Sequence, residues 1–214
     1  MHMANELISM PVAAGTIAAA AGGLGWLCRK ARSQLLSEKA ALMGILGAFV
    51  FAAQMVNFQL PLMPGTSGHL IGAVFLSVVL GPALAAVVLS SVVIVQCLLF
   101  QDGGLLALGA NIFNMGIVAS FSSYYLYRLV VKFLGDSRRS QLVSGFVGAW
   151  ASVFLASIFC AVELAVSGAS PIAVVLPTMA GIHAFIGIGE GLITGAALGL
   201  VLATRADLLQ LQKI

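Results

Sequence analysis

The sequence predicts an all-α membrane protein, a bundle of seven transmembrane helices. Three observations predict it. The chain has 214 residues, of which 61% are hydrophobic and only 8% charged, whereas soluble domains carry about 25% charged residues. Mean hydropathy is +1.10. Apolar runs of about 17–25 residues recur, the length a helix needs to cross a bilayer and too long for barrel strands. The net charge of +3 says nothing about nucleic acid in such a chain. Where the charges lie matters more.

The first apolar run covers about 11–28. Arg29, Lys30, Arg32 and Lys39 follow it. A secretory signal has its positive charge before the apolar stretch, so this run reads as an uncleaved span. The positive-inside rule then places the residues after it in the cytoplasm and the N-terminus outside. The second span, about 40–58, returns outward. A loop rich in Pro and Gly, QLPLMPGTSGH, delivers His69 to the outer mouth of span three. That span, about 69–81, is short and ends at Gly81-Pro82. Span four covers about 84–100, and Gln101-Asp102-Gly103-Gly104 reads as an external turn. Span five, about 105–127, exits at Arg128, Lys132, Arg138 and Arg139. Span six covers about 142–164, and SGASPIA is an external loop. Span seven, about 175–203, ends at Arg205 and leaves a short amphipathic cytoplasmic tail to Ile214.

Seven spans put the N-terminus outside and the C-terminus inside. All ten Lys and Arg residues then fall on the cytoplasmic side, although the orientation is fixed from the first loop alone. The whole chain reads as one transmembrane metal-binding domain: a chelating segment 1–10, a bundle 11–203 and a tail 204–214.

The metal expectation starts at Met1-His2. A free terminal amine, the His2 amide nitrogen and the His2 ring nitrogen can all reach one ion. Amine and amide close a five-membered ring; amide and Nδ1 close a six-membered ring. Methionine aminopeptidases generally need a small second residue, so Met1 is expected to be retained. The terminal amine titrates at about 7.7–8.0, so a metal can displace its proton near neutrality. Amide deprotonation requires a metal that favours square-planar nitrogen, which points to Ni²⁺ or Cu²⁺, with low-spin Co²⁺ following, rather than Zn²⁺. A fourth nitrogen must come from elsewhere, and His69 is the other histidine on the outer face. The bland readings are an accident at position two and a helix-start histidine at position 69.

Other polar residues are candidates to orient these ligands or to line a path. Ser67 lies two residues before His69. Asn57, Asn111 and Asn114 are expected in the outer halves of spans two and five, where they orient the rings or serve as interhelical glue. His183 and Glu190 are seven residues apart in span seven, on one face two turns apart. Ionisable groups in a span mark a pathway or a buried pair. The stripes Gly15, Ala19, Gly23 and Ala14, Ala18, Gly22 allow close helix packing or docking of a membrane partner. Cys28, Cys97 and Cys160 are far apart and form no CxxC pair, so a thiolate site is not expected.

Some absences are informative. No GxxxxGK[ST] loop occurs, so the chain has no P-loop ATPase of its own. Gly187-Ile188-Gly189-Glu190-Gly191 lies inside a span and lacks the strand context of a dinucleotide fingerprint. HExxH and GxSxG are also missing.

The segments MHMANELIS, GTSGHLIGAVFLSVVLGP, QDGGLLALGANIFNMG and GIHAFIGIGEGLITG together resemble the NikM/CbiM-type substrate-binding (S) component of nickel/cobalt energy-coupling-factor (ECF) transporters. The resemblance spans residues 1 to about 203, and its specific parts are the MH start and GHLIGA. It implies a seven-helix bundle whose N-terminal segment tucks into the core from outside. It implies square-planar binding by the Met1 amine, the His2 amide and ring, and His69. It implies partners: a transmembrane coupling (T) subunit, ABC-type ATPase subunits and often a small accessory membrane subunit, in a bacterial or archaeal cell membrane. MHMAN with LIS looks closer to nickel members than to cobalt members. On this reading the chain is a binding component and not an enzyme, with Ni²⁺ or Co²⁺ as transported ligand and no cofactor. Two other classes stay open: an intramembrane enzyme using His183 and Glu190 as acid and base, and a proton-coupled carrier working alone.

Overall fold

The computed structural model describes residues 1–32, 37–60 and 63–209. The end of the expected tail, 210–214, part of the first charged loop, 33–36, and two residues of the Pro/Gly loop, 61–62, lie outside the described residues.

Helices dominate. They are α1 (Met10–Arg32), α2 (Ser37–Gln54), α3 (Ala73–Leu80), α4 (Pro82–Phe100), α5 (Leu108–Asn111), α6 (Ala119–Leu134), α7 (Arg138–Val166) and α8 (Ile172–Thr204). A π-helical stretch, Ile112–Val118, joins α5 to α6 without a break. That composite helix is the expected span five, extended at its charged end. α1, α4, α7 and α8 are long and apolar enough to cross a membrane. α2 contributes a shorter apolar helix.

Large apolar side chains cover the outside, among them Phe133, Phe185 and Leu99. In water such a surface would drive aggregation; in lipid it faces its natural solvent. Helix burial grades across the bundle. The apolar window of α4 is 61% buried and that of α7 50%, against 17% for α1 and 22% for α8. α4 and α7 are therefore central, while α1 and α8 line the periphery.

Span three departs from the expectation. Its helix is only eight residues long, a length of about 12 Å, which cannot cross a bilayer by itself. It begins at Ala73, so His69 is not a helix-start residue. His69 to Gly72 run as non-helical chain above the helix. All eight residues of α3 are buried, so this short helix is a plug in the bundle centre, flanked by α4, α6, α7 and α8. Gly81, at φ +88°, ends it and Pro82 opens α4 directly. Proline at the first position of a helix leaves no bond unmade.

Span two also ends early. α2 stops at Gln54, and Asn57 lies beyond it, just ahead of a short strand. That strand, β1 (Phe58–Gln59), pairs antiparallel with β2 (Ser67–Gly68). The hairpin, the 101–107 turn and the N-terminal segment together form a cap on one end of the bundle. The Lys and Arg residues gather at the other end: Arg29, Lys30 and Arg32 close α1, Lys132 lies in the last turn of α6, and Arg138 and Arg139 open α7.

Candidate metal centre

The N-terminal segment is held as a third strand of the cap. Met3 bridges Thr66 in antiparallel fashion. The Ala4 amide donates to the Gly65 carbonyl at 2.9 Å, and the Ser67 amide donates to the His2 carbonyl at 3.3 Å. On its other side the Gly104 amide donates to the Met3 carbonyl at 2.7 Å. This approach requires glycine. A Cβ on Gly104 would lie 2.3 Å from the Asn5 nitrogen, and one on Gly103 would lie 2.8 Å from Asn111 Nδ2.

The strand delivers Met1 and His2 into the bundle interior. Met1 is 1% exposed; His2 and His69 are each 2% exposed. The Met1 amino group donates to the Ser67 carbonyl and sits 3.4 Å from Ser67 Oγ. The His2 amide donates to the same Oγ at 3.3 Å. Ser67 therefore touches both main-chain nitrogens that the sequence marks as chelators. The rings of His2 and His69 stack, with centroids 4.7 Å apart. Both His2 ring nitrogens and His69 Nε2 are buried without a hydrogen-bond partner. His69 Nδ1 is committed to the Leu70 carbonyl at 2.6 Å, which leaves Nε2 as the free lone pair.

Burial sets the protonation of the terminal segment. It lowers the Met1 amine to about 5, against attraction from Cys160 and Asp102. It lowers His2 to about 3, helped by the adjacent Met1 amine. At neutral pH both are uncharged, the form that coordinates metal.

The candidate residues separate into groups. Asn111 works on the N-terminal segment: its Oδ1 accepts from the Met3 amide at 3.0 Å, and its Nδ2 donates to the Met3 carbonyl at 3.4 Å. Asn114 does not. Its Nδ2 donates to Glu163 on α7 at 2.6 Å. Asn57, expected in a helix, reaches from the loop to donate to Asp102 at 2.8 Å. Asp102 in turn faces His2 Nδ1 at 3.3 Å. Glu190 does not bond to His183. Its two oxygens accept from the Ile71 and Gly72 amides at 2.7 and 2.6 Å, so it anchors the chain beyond His69 to α8. His183 Nδ1 instead lies 2.8 Å from the Met179 carbonyl.

Sequence reasoning missed four participants. Asp102 was read as a turn residue, although an acid in a turn facing the N-terminus is a natural counter-charge. Gln54 donates to the Ile71 carbonyl at 2.8 Å, and Gln96 donates to Gln54 at 3.1 Å. Glu163 holds Asn114. Single Gln and Glu residues near span ends carry no spacing signal, so only the folded chain identifies these contacts.

Among the described residues no group of three or more His, Cys, Asp or Glu side chains could hold a metal. A cleft of about 490 Å³, lined by His2, Ser67, Cys97, Asp102 and Gly103 among others, opens beside the terminal segment.

The chain matches the family described as cobalt uptake substrate-specific transmembrane region over residues 2–208. It is 34% identical to a putative fused nickel transport protein of Archaeoglobus fulgidus, over 98% of this chain and 68% of that one. It is 34% identical to a putative metal transport protein of Haloquadratum walsbyi, over 97% of this chain and 93% of that one. A solved structure described as a truncated transition metal transporter superposes with a TM-score of 0.85 at 32% identity, covering 95% of this chain and 99% of that one.

Proposed function

The chain belongs to the family of cobalt uptake substrate-specific transmembrane regions, a nickel/cobalt transport component of the NikM/CbiM type, and from that premise we propose that it captures Ni²⁺ at the outer face of a cell membrane in a planar site of four nitrogens. The donors are the Met1 amine, the His2 amide, His2 Nδ1 and His69 Nε2. The observation that carries this reading is the convergence of Met1, His2 and His69 in one buried place, with the two rings stacked and His69 Nε2 unpartnered.

The chemistry follows from these contacts. A neutral Met1 amine can keep its bonds to Ser67 and still offer a lone pair. The His2 amide gives up its proton, and with it the bond to Ser67 Oγ. Closing the ring through Nδ1 replaces the contact with Asp102. Charge then balances: two positive charges on the ion are met by one from the deprotonated amide and one from the Asp102 carboxylate. A buried ion so neutralised avoids the large desolvation cost of a net charge.

The surrounding cap does the positioning. Glu190 and Gln54 fix the Ile71–Gly72 backbone, so His69 is held by contacts on both of its sides. Asn111 and Ser67 seat the N-terminal strand. The basic end of the bundle lies in the cytoplasm on this reading, and seven spans form one transmembrane metal-binding domain. α3 and the loop above it are the most buried of those elements and descend from the site. ATP hydrolysis in partner subunits, acting with a membrane coupling subunit, releases the ion inward. This chain binds and does not turn over. Cobalt is the alternative cargo by the same mechanism, since a relative described as a cobalt transport protein, from Thermosediminibacter oceani, is 33% identical over 77% of this chain and 68% of that one.

The test is elemental analysis with visible absorption on protein whose first residue is verified as Met1, after nickel loading, beside His2→Ala. About one nickel per chain with a yellow planar band, lost in the variant, is the expected result. Equal metal in both proteins overturns the site.

A further inference from the structure

His69 Nδ1 lies 2.6 Å from the Leu70 carbonyl. A carbonyl only accepts, so Nδ1 carries the proton and Nε2, buried without a partner, carries the lone pair. The Leu70 carbonyl and the Ile71 amide belong to one planar peptide group. The other edge of that peptide is held from a distant helix. The Ile71 amide donates to Glu190 Oε2 at 2.7 Å, and the Gly72 amide donates to Oε1 at 2.6 Å. Glu190 lies on α8, 118 residues beyond Gly72. It is 2% exposed, and burying a carboxylate within a span is costly. Helix capping alone does not call for it. A Glu or Gln at the third position of α3 could satisfy the Gly72 amide locally, but Phe75 stands there. The Ile71 carbonyl is fixed as well, by Gln54 of α2 at 2.8 Å, which Gln96 of α4 holds at 3.1 Å. The peptide that orients the His69 ring is therefore clamped from outside its own segment.

We propose that Glu190 is a positioning residue for the fourth metal donor, acting on His69 through the Leu70–Ile71 peptide. This rests on the planar site proposed above. The carboxylate holds the amide edge of the peptide, the carbonyl edge holds His69 Nδ1–H, and Nε2 is left to the ion. Metal-bound histidines give their second N–H to a carboxylate or a carbonyl, which fixes the ring and raises its basicity. Here the two acceptors act in series, with one peptide between them. A carboxylate that accepts from the amide polarises the peptide and makes its carbonyl a stronger acceptor. No proton moves along this relay; it transmits orientation and polarisation. Loss of the Glu190 contact frees His69 while the Met1 and His2 nitrogens stay in place, so the ion loses its fourth donor first. A displacement of α8, which lies at the periphery of the bundle, would open the site in this way.

The test is proton–nitrogen NMR of the nickel-loaded full chain carrying ¹⁵N-histidine, together with the nickel dissociation rate. Planar Ni²⁺ is diamagnetic, so the ring N–H signals stay sharp. The expected result is a slowly exchanging His69 Nδ1–H signal, assigned by its loss in His69→Ala. Glu190→Gln is expected to move that signal upfield, to speed its exchange with water and to raise the nickel dissociation rate about 10–100-fold. An unmoved signal in Glu190→Gln overturns the relay and leaves the planar site standing, even where the variant melts earlier, since a merely structural role would do only that. Histidine signals broadened by a paramagnetic, high-spin ion in the native protein overturn the planar site and this inference with it. Where Glu190→Gln does not fold, the native protein decides. Coupling is reciprocal, so nickel loading should raise the protection of the Ile71 and Gly72 amides against hydrogen exchange. Equal protection with and without nickel overturns the relay.

Discussion

At the capped end of the bundle the chain buries histidines and an asparagine; at the basic end its arginines and most of its lysines stay exposed. His2, His69, Asn111, Ser67 and Thr66 are all buried at the cap, and the Ser67 and Asn111 side chains hold the distant main chain of His2 and Met3. At the basic end Arg205 and Asp207 pair at 2.8 Å while remaining 61% and 63% exposed, and Lys30 lies over the exposed Trp26 ring at 5.2 Å. The cap loops bond to the terminal segment through main chain and side chains, as the proposed site requires. On the proposed orientation, residues at the basic end face water and headgroups on the cytoplasmic side.

If that contrast is right, perturbations of equal chemical size should differ greatly between the two ends. The largest effect is expected from His2→Ala, or from adding one residue before Met1. Each removes a chelating nitrogen and a ring closure, so nickel affinity by equilibrium dialysis should fall at least about 100-fold, or ~3 kcal/mol. Gly104→Ala comes next. Its new Cβ would meet the Asn5 nitrogen at 2.3 Å, so the terminal strand must shift and nickel affinity should fall about tenfold or more. The melting of the bundle should change less. Asn111→Ala leaves the buried Met3 amide without its partner, at about 1–3 kcal/mol. That predicts a weaker chelate and faster proteolysis of the first residues.

The pH dependence sharpens the same contrast. Burial lowers the Met1 amine from 8.0 to about 5. The released segment therefore binds a proton that the docked segment does not, throughout the interval between those values. Docking is at full strength above pH 8, weakens as pH falls, and has lost this contribution below about 5. Hydrogen exchange of the Met3 and Ala4 amides in metal-free protein, followed between those pH values and divided by the intrinsic rate at each pH, should show protection that falls on acidification. At the other end, Arg205→Ala should change neither nickel affinity nor melting temperature measurably, since exposed pairs contribute little.

How much of this was legible beforehand depended on the kind of signal. Hydropathy and charge placement located the helices, because each span is long enough to average over local irregularity. The Met1-His2 pair and His69 were legible as chemistry, since few side chains with nitrogen lone pairs exist in this chain. What was illegible came from tertiary pairing. The truncation of span three to Ala73–Leu80 is marked in GHLIGAVFLSVVL only by Gly72, which takes φ +77°, and a single glycine in a largely apolar run does not fix a helix boundary. The strand pairing of Met3 with Thr66 joins segments far apart in sequence. Asn111 and Asn114 look equivalent three residues apart, yet the π-helical stretch that begins between them sends one to the terminal strand and the other to α7. Glu190 was grouped with His183 on helical periodicity, and the periodicity was real; its partners came instead from the free amides above α3, which no pattern within span seven announces.

The central claim is that nickel sits in a plane of four nitrogens begun by the first two residues. Nickel K-edge X-ray absorption on the loaded protein tests this most directly. The expected spectrum has the intense 1s→4p feature of a square-planar ion and a first shell of four nitrogens. A spectrum without that feature and with six oxygen or nitrogen neighbours would contradict it.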